Sequence, residues 1–466
     1  MPSIIEHSSR VGIQIDASVD LGPLEMWRHT VGIGGVHSLP LPDAVVAGTR
    51  RLRPRLIRIF IQQFFDIYPE HGRFEWECLD AYMDSIDRTG AQIVAAICIK
   101  PAPLFPTIDQ TQWRPSDIGE WQDVIRALVR RYSVERDLVT YWEIGNETDI
   151  GEAGGCPYLI PDPKDYSEYY TFTAAAVRDA APDVKVGGTA AVGAMSEPLP
   201  GFVAHCAATG IPLDFISWHV YNDDWSLHIE GVREGRQLLA QMPGPTPEMM
   251  VTEWNKSFDP ISIPDQALEA RRAALVGASI LAMRQEELDW SFYYHLWDQH
   301  LDPSQFEKFF SPNAVNNMHE HWNQRPHRFG LFSESGQVRP QYFMYQMLTL
   351  LGTTKISSST SGAGDNLHAI SARDATTVSS LLVNVSLDPS ASEPCLATLK
   401  ISGLVPGERL LTIYRIDDER RWDAGTLEME PLEIRRVFVL DRFECELYLP
   451  ADSVTLFTLA ELDQAS

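Results

Sequence analysis

Eight times between residues 29 and 298 a short apolar, β-prone run is followed by a longer stretch that leads to the next run, and this alternation restricts the fold more than any other feature. The runs are His29–Val36, Leu56–Ile61, Ile93–Ile99, Thr140–Ile144, Val184–Thr189, Phe215–Tyr221, Met249–Asn255 and Asp289–Asp298. Several intervening stretches have a helical period. In Glu77–Thr89, Leu79, Tyr82, Met83 and Ile86 share one face and Gly90 follows as a stop; in Ile118–Tyr132, Trp121, Ile125, Leu128, Val129 and Tyr132 form a stripe. Helices are also expected over Pro163–Ala180, Gly201–Thr209, Ile229–Gln241, Gln266–Glu287 and Pro340–Leu351. The run Ile93–Ile99 is apolar throughout, as befits a strand covered on both faces. Eight such units favour a closed (β/α)8 TIM barrel; an open doubly wound sheet would call for a Gly-rich phosphate loop, and none is present.

The texture changes at Gly352. From there short runs such as Thr377–Val385, Ala397–Ile401, Leu410–Tyr414 and Val454–Leu459 are separated by Gly, Pro, Asp and Ser, the pattern of an antiparallel sandwich. A short strand at Val11–Ala17 precedes the barrel and is expected to pair with that second layer. The expected division is therefore 1–24 joining an accessory all-β sandwich, 25–351 as the barrel, and 352–466 as the rest of the sandwich. The stretch Gln299–Arg328 has no sustained period. A segment of that length over the strand ends is usually functional, and it is expected to shape substrate choice.

Function is carried by how two strands end. Tyr141-Trp142-Glu143-Ile144-Gly145-Asn146-Glu147 stops at an amide and a carboxylate, and Val251-Thr252-Glu253-Trp254-Asn255 delivers a second carboxylate 106 residues later. The C-terminal ends of barrel strands are where such a fold gathers its chemistry. Two strand-terminal glutamates are what a retaining glycosidase requires, one to protonate the leaving oxygen and one to attack the sugar carbon. Between them, Phe215–Tyr221 ends in His219 and Tyr221, which are able to hydrogen-bond a carboxylate or a hydroxyl.

At these residues the chain resembles clan A of the glycoside hydrolases and most closely family 39, the β-xylosidase and α-L-iduronidase group. The likeness runs from about Met26 to Leu351 through "MWRHTVGIGG", "YWEIGNET", "VKVGGTA", "DFISWHVY" and "MMVTEWNKS". It implies Glu147 as acid/base, Glu253 as nucleophile, and Asn146, His219 and Tyr221 as their neighbours. Where the family usually shows Trp-Asn-Glu-Pro, this chain has Gly145-Asn146-Glu147-Thr148. An exo-acting β-glycosidase of the β-xylosidase type leads. An endo-acting glycanase, another exo-glycosidase of the galactosidase, arabinosidase or iduronidase type, and an inactive sugar-binding barrel remain as alternatives.

Other polar and aromatic residues near strand ends are candidates for substrate contact. Arg58 interrupts an apolar run, so its charge must be paired; it is read either as an ion pair beneath the site or as the partner of Glu253. Lys100 and Asn255 follow strand ends. Of Trp27, Trp218, Trp254 and Trp297, about two are expected to form a sugar platform, with Trp297 first. Gly32, Gly34 and Gly35 either admit a ligand close to the backbone or mark a loose strand.

The formal charge of −26 and the lack of any clustered Lys and Arg exclude nucleic acid as partner. A glycoside or oligosaccharide is the expected ligand, and no cofactor is implied. The six cysteines lack CxxC spacing and read as free thiols. His319, His321 and His327 share the long loop but imply no metal site. With no signal-like start and no apolar window long enough to span a bilayer, a cytoplasmic location is expected.

Overall fold

The computed structural model describes residues 9–257, 269–324, 328–362, 364–420 and 426–462. Strand β1 (Ser9–Pro23) belongs to the accessory sheet. Eight parallel strands, β2 (His29–Gly32), β3 (Leu56–Gln62), β4 (Gln92–Cys98), β5 (Val139–Ile144), β6 (Lys185–Ala191), β7 (Phe215–Tyr221), β8 (Glu248–Asn255) and β9 (Trp290–Tyr294), close on themselves in chain order. This is a TIM barrel.

Side chains alternate along each strand, so residues two apart share a face. Leu56, Val94, Tyr141, Phe215, Met250, Trp290 and Phe292 form a buried layer inside the barrel. Two residues further along β3 and β5 come Arg58 and Glu143, which pair in the interior above that layer. Outward residues such as Ile57, Ile93, Trp142, Ile216 and Val251 pack in a larger cluster with the helices. Helix 163–180 illustrates local encoding: Asp162 accepts from the backbone amides of Lys164 and Asp165, and Pro163 takes the first turn, where its missing N–H costs nothing.

A nine-stranded, mostly antiparallel sheet forms the second layer. In it β1 pairs in parallel with Cys395–Ser402 and antiparallel with Thr354–Ser361. One face of the sheet continues the barrel's core: Ile370, Leu381, Val383, Val454 and Leu456 join the cluster that holds Met344 and Ala274. Arg271 adds polar ties, donating to Asp452 Oδ1 at 2.7 Å and to the Ser386 carbonyl at 2.6 Å. Among the described residues, no helix is long and apolar enough to cross a membrane.

The segment after β9 departs from the expected irregular loop. It forms helix 303–306, helix 312–319 and a π turn at 320–324. Both helices begin with a side-chain cap followed by proline, Asp302-Pro303 and Ser311-Pro312. The buried residues of the two helices and the turns around them, Leu301, Phe306, Phe309, Phe310, Ala314 and Val315, form a separate small core with Val36. These helices are too short to show a sustained period, although their caps are explicit in the sequence.

Candidate active site

The carboxylates reach the barrel mouth by local irregularities. On β8, Met250 points inward and Val251 outward, which would send Glu253 outward too. The register with β7 slips between Trp218↔Val251 and His219↔Glu253. Such a bulge changes the phase of the pleat, so Trp254 returns to the outer cluster while Glu253 joins the interior ion pair. On β5 the strand ends at Ile144, Gly145 turns with φ 88°, and Glu147 is held at φ 43° with its amide donating to the Ala190 carbonyl at 2.9 Å.

Arg58 organises the floor. Its Nε donates to Glu143 Oε2, its Nη1 to Glu253 Oε1 and its Nη2 to Asn146 Oδ1, each at 2.7 Å. Burial alone would lower its pKa, but Glu143 and Glu253 reverse the shift and raise it. One fixed guanidinium therefore serves both readings made from sequence, a buried ion pair and a partner of Glu253. Tyr221 donates to the other oxygen, Glu253 Oε2, at 2.5 Å.

Glu147 lies in a different environment. Burial, followed by the nearby Asp149 charge, pushes its pKa up to about 8, against a smaller opposing effect of Arg58. His219 stands between the two carboxylates, with Nδ1 2.7 Å from Glu147 Oε1 and Nε2 3.6 Å from Glu253 Oε1. Burial lowers the His219 pKa despite the neighbouring carboxylates, so the ring is neutral. One carboxylate oxygen of Glu147 and one of Glu253 lie within 4.8 Å of each other. Among the described residues, Glu147, His219 and Glu253 are also the one group spaced so that it could share a cation. Arg58 already balances Glu253 there.

A cavity of about 680 Å³ opens above this floor. Asn146, Glu147, Tyr221 and Glu253 line it with Phe60, Tyr294 and Trp322, and Gly35 forms part of the wall. A β-carbon on Gly35 would lie 2.8 Å from the Phe60 ring, so this glycine serves close packing beside the cavity.

Several sequence candidates lie elsewhere. Trp297 is 6% exposed, packs edge-on against His37 and donates Nε1 to the Glu334 carbonyl; it does not line the cavity. Trp218 is packed under Gly231 and Gly235, Trp254 sits against His228 and Tyr293, and Trp27 lies at the opposite barrel end beside Arg55. The aromatic wall comes instead from Trp322, Tyr294 and Phe60. An aromatic near a strand end has two faces open to it, and the outward one won for Trp218 and Trp254.

Lys100 does not line the cavity either. Its Nζ donates to the carbonyls of Asp109 (2.6 Å) and Pro157 (3.0 Å), tying two loops together, and burial lowers its pKa to about 8. Asn255 is buried behind the cavity, donating to the Tyr294 carbonyl and accepting from the Lys256 amide. Arg58 and His219 touch the carboxylates from below and do not line the cavity. His327 is outside the described residues, and His319 bonds Asn323.

Sequence reasoning passed over Glu143, Glu152, Tyr294 and Trp322. Glu143 had a signal: a carboxylate inside an apolar strand needs a cation, and Arg58 was the cation in need of a carboxylate.

Two curated relatives align with part of the chain. The β-xylosidase of Geobacillus stearothermophilus is 29% identical over 185 residues, 35% of this chain and 36% of that protein. That of Caldicellulosiruptor saccharolyticus is 24% identical over 163 residues, 31% and 32%. The chain thus spans about a third of the length of the curated relatives it matches. Solved structures agree over the full length. A monomeric β-xylosidase from Caulobacter crescentus CB15 superposes with a TM-score of 0.75 at 20% identity, covering 97% of this chain and 99% of that one. A family 39 enzyme from Xanthomonas axonopodis pv. citri gives 0.74 at 19%, covering 97% of both. The sequence model of glycosyl hydrolases family 39 matches residues 70–426, a span that holds both strand-end carboxylates and most of the barrel, so the chain belongs to that family.

Proposed function

We propose that the chain is a retaining glycoside hydrolase, an exo-acting β-glycosidase of the β-xylosidase type, with Glu253 as nucleophile and Glu147 as acid/base. The observation that carries this reading is the pair itself. Two carboxylates with one oxygen of each within 4.8 Å match the spacing of retaining enzymes, roughly 5–5.5 Å between the groups, better than the roughly 6.5–9.5 Å that an inverting enzyme needs for its water. Their environments also differ as the two roles demand. Glu253 accepts from Arg58 and Tyr221, which favour a charged carboxylate, while Glu147 stays protonated through neutral pH.

In the first half-reaction a Glu253 oxygen bonds to the anomeric carbon as the bond to the leaving oxygen breaks, and Glu147 gives that oxygen its proton. Glu253 is then an uncharged ester, and Glu147, now a carboxylate, accepts a proton from the attacking water. Water's oxygen bonds to the anomeric carbon, and Glu253 leaves as a carboxylate. With its Oδ1 held by Arg58 and one Nδ2 hydrogen given to the Gly154 carbonyl, Asn146 has its second Nδ2 hydrogen to donate to the sugar 2-hydroxyl, a contact that strengthens in the transition state.

The cavity is lined by Glu147, Glu152 and Glu253 and, among the described residues, by no Lys or Arg. That composition supports a neutral sugar over a uronate. A cytoplasmic site of action is supported by the six free cysteines, five of them buried.

A panel of nitrophenyl glycosides identifies the sugar; the β-xyloside is expected to be turned over fastest. On that sugar's dinitrophenyl glycoside, Glu147→Ala should accumulate the glycosyl-enzyme, and azide should release it as a glycosyl azide of unchanged anomeric configuration. Glu253→Ala should be inactive on every leaving group. Azide rescue giving the retained anomer in Glu253→Ala, and none in Glu147→Ala, would reverse the two roles.

A further inference from the structure

Glu152 is a buried carboxylate at the cavity wall that the proposed reaction does not use; it is 7% exposed. Its Oε1 accepts from the Ser311 amide at 3.0 Å and its Oε2 from the Ser311 hydroxyl. Ser311 is the cap of helix 312–319, so the carboxylate meets both that residue's donors and the positive end of the helix dipole. Such charge-assisted bonds are among the stronger ones a protein makes.

The two elements joined in this way matter for different reasons. Glu152 belongs to the short turn Gly151–Gly154, which follows the acid/base. Gly154 is packed so closely on Glu147 that a β-carbon there would overlap Glu147 Oε2, and its carbonyl accepts from Asn146 Nδ2 at 3.3 Å. On the other side, helix 312–319 and the following turn supply Asn313, Asn317, His321 and Trp322 to the cavity. The rest of that segment rests on its own small apolar core and on Val36.

We infer that Glu152 is a positioning residue whose bonds to Ser311 fasten the helix 312–319 wall to the turn that aims Glu147, and so set selectivity for the leaving group. This rests on the glycosidase reading above. A loosened latch lets both the wall and the acid/base drift. A poor leaving group needs the proton of Glu147 and the contacts of that wall. In the first half-reaction a dinitrophenolate needs no proton, because it departs as an anion.

The test uses the full chain carrying Glu152→Gln, Ser311→Ala or both. Gln keeps the shape but has one acceptor oxygen for two donors. Each single variant should lower kcat/KM for xylobiose about 10-fold and leave kcat/KM for 2,4-dinitrophenyl β-D-xyloside, which reports only the first half-reaction, within about 2-fold. The double variant should be no worse than the poorer single one, as expected of two partners in one interaction. Amide exchange should quicken in residues 312–319 in both single variants. Parallel losses on the two substrates, losses that multiply in the double variant, or unchanged exchange would each overturn the latch. If the wild type cleaves no xyloside, the sugar assignment has failed. The same kinetic comparison then uses the glycoside it does cleave, and the exchange measurement stands unaltered.

Discussion

The Glu147 proton decides both how the site works and what it costs the fold. With Glu147 as the proposed general acid, a carboxyl raised from 4.5 to about 8 by burial should give kcat/KM an alkaline limb near pH 8, falling as that carboxyl ionises. In Glu147→Gln, assayed with a dinitrophenyl glycoside, that limb should vanish; if it persists, another group carries it. For stability the sign is opposite to that of a salt-bridged acid. Between pH 4.5 and about 8 the folded state binds more protons than the unfolded state, so stability falls as pH rises through that window. Glu147→Gln should therefore be more stable than wild type by a margin growing to a few kcal/mol, at about 1.4 kcal/mol per unit. Denaturant melts at pH 5 and pH 8 would show it. Arg58 has the converse role. Arg58→Met leaves Glu143 and Glu253 buried without their cation, and should lose about 3–5 kcal/mol. Arg58→Lys carries its three donors on one nitrogen and cannot reach acceptors that now meet three separate nitrogens, so it should lower kcat/KM about 100-fold in a folded protein. Equal melting midpoints for Arg58→Met and wild type would contradict the floor described here.

At the scale of elements, residues 311–322 form one wall of the cavity. Shortening the segment between Leu301 and Asn323, which are joined by two backbone-to-amide hydrogen bonds, should raise KM for the preferred glycoside several-fold while a dinitrophenyl glycoside keeps its turnover. Loss of turnover with every substrate, in a folded variant, would place a catalytic group in the segment. The barrel strands and the two glutamate endings were legible in sequence because an apolar run that stops at a polar pair leaves little choice of orientation. The segment carrying the wall was less so, since its helices of 4 and 8 residues are held by caps and by a tertiary cluster instead of a long stripe. The tryptophans misled for a related reason. On β8 a one-residue slip sends Trp254 outward and Glu253 inward, and a slip of that kind leaves no mark in composition or period.

At the scale of the whole molecule, barrel and sheet share a core, so the second layer is part of the protein's stability. Truncation after Gly352 would expose the barrel residues that pack on Leu381, Val383 and Leu456, and the product should be insoluble; a soluble, active truncation would contradict that shared interface. The switch of texture at Gly352 was visible because short strands and turn residues replace helical period. The tie through Arg271 was not, since nothing local links it to Asp452, 181 residues away. The geometry at the barrel mouth is tested most directly by following hydrolysis of the preferred β-glycoside by proton NMR from the first turnovers, before the free sugar mutarotates. With the carboxylates as close as they are, the first anomer to appear should be β, the configuration of the substrate. The α anomer appearing first would contradict the double displacement through Glu253.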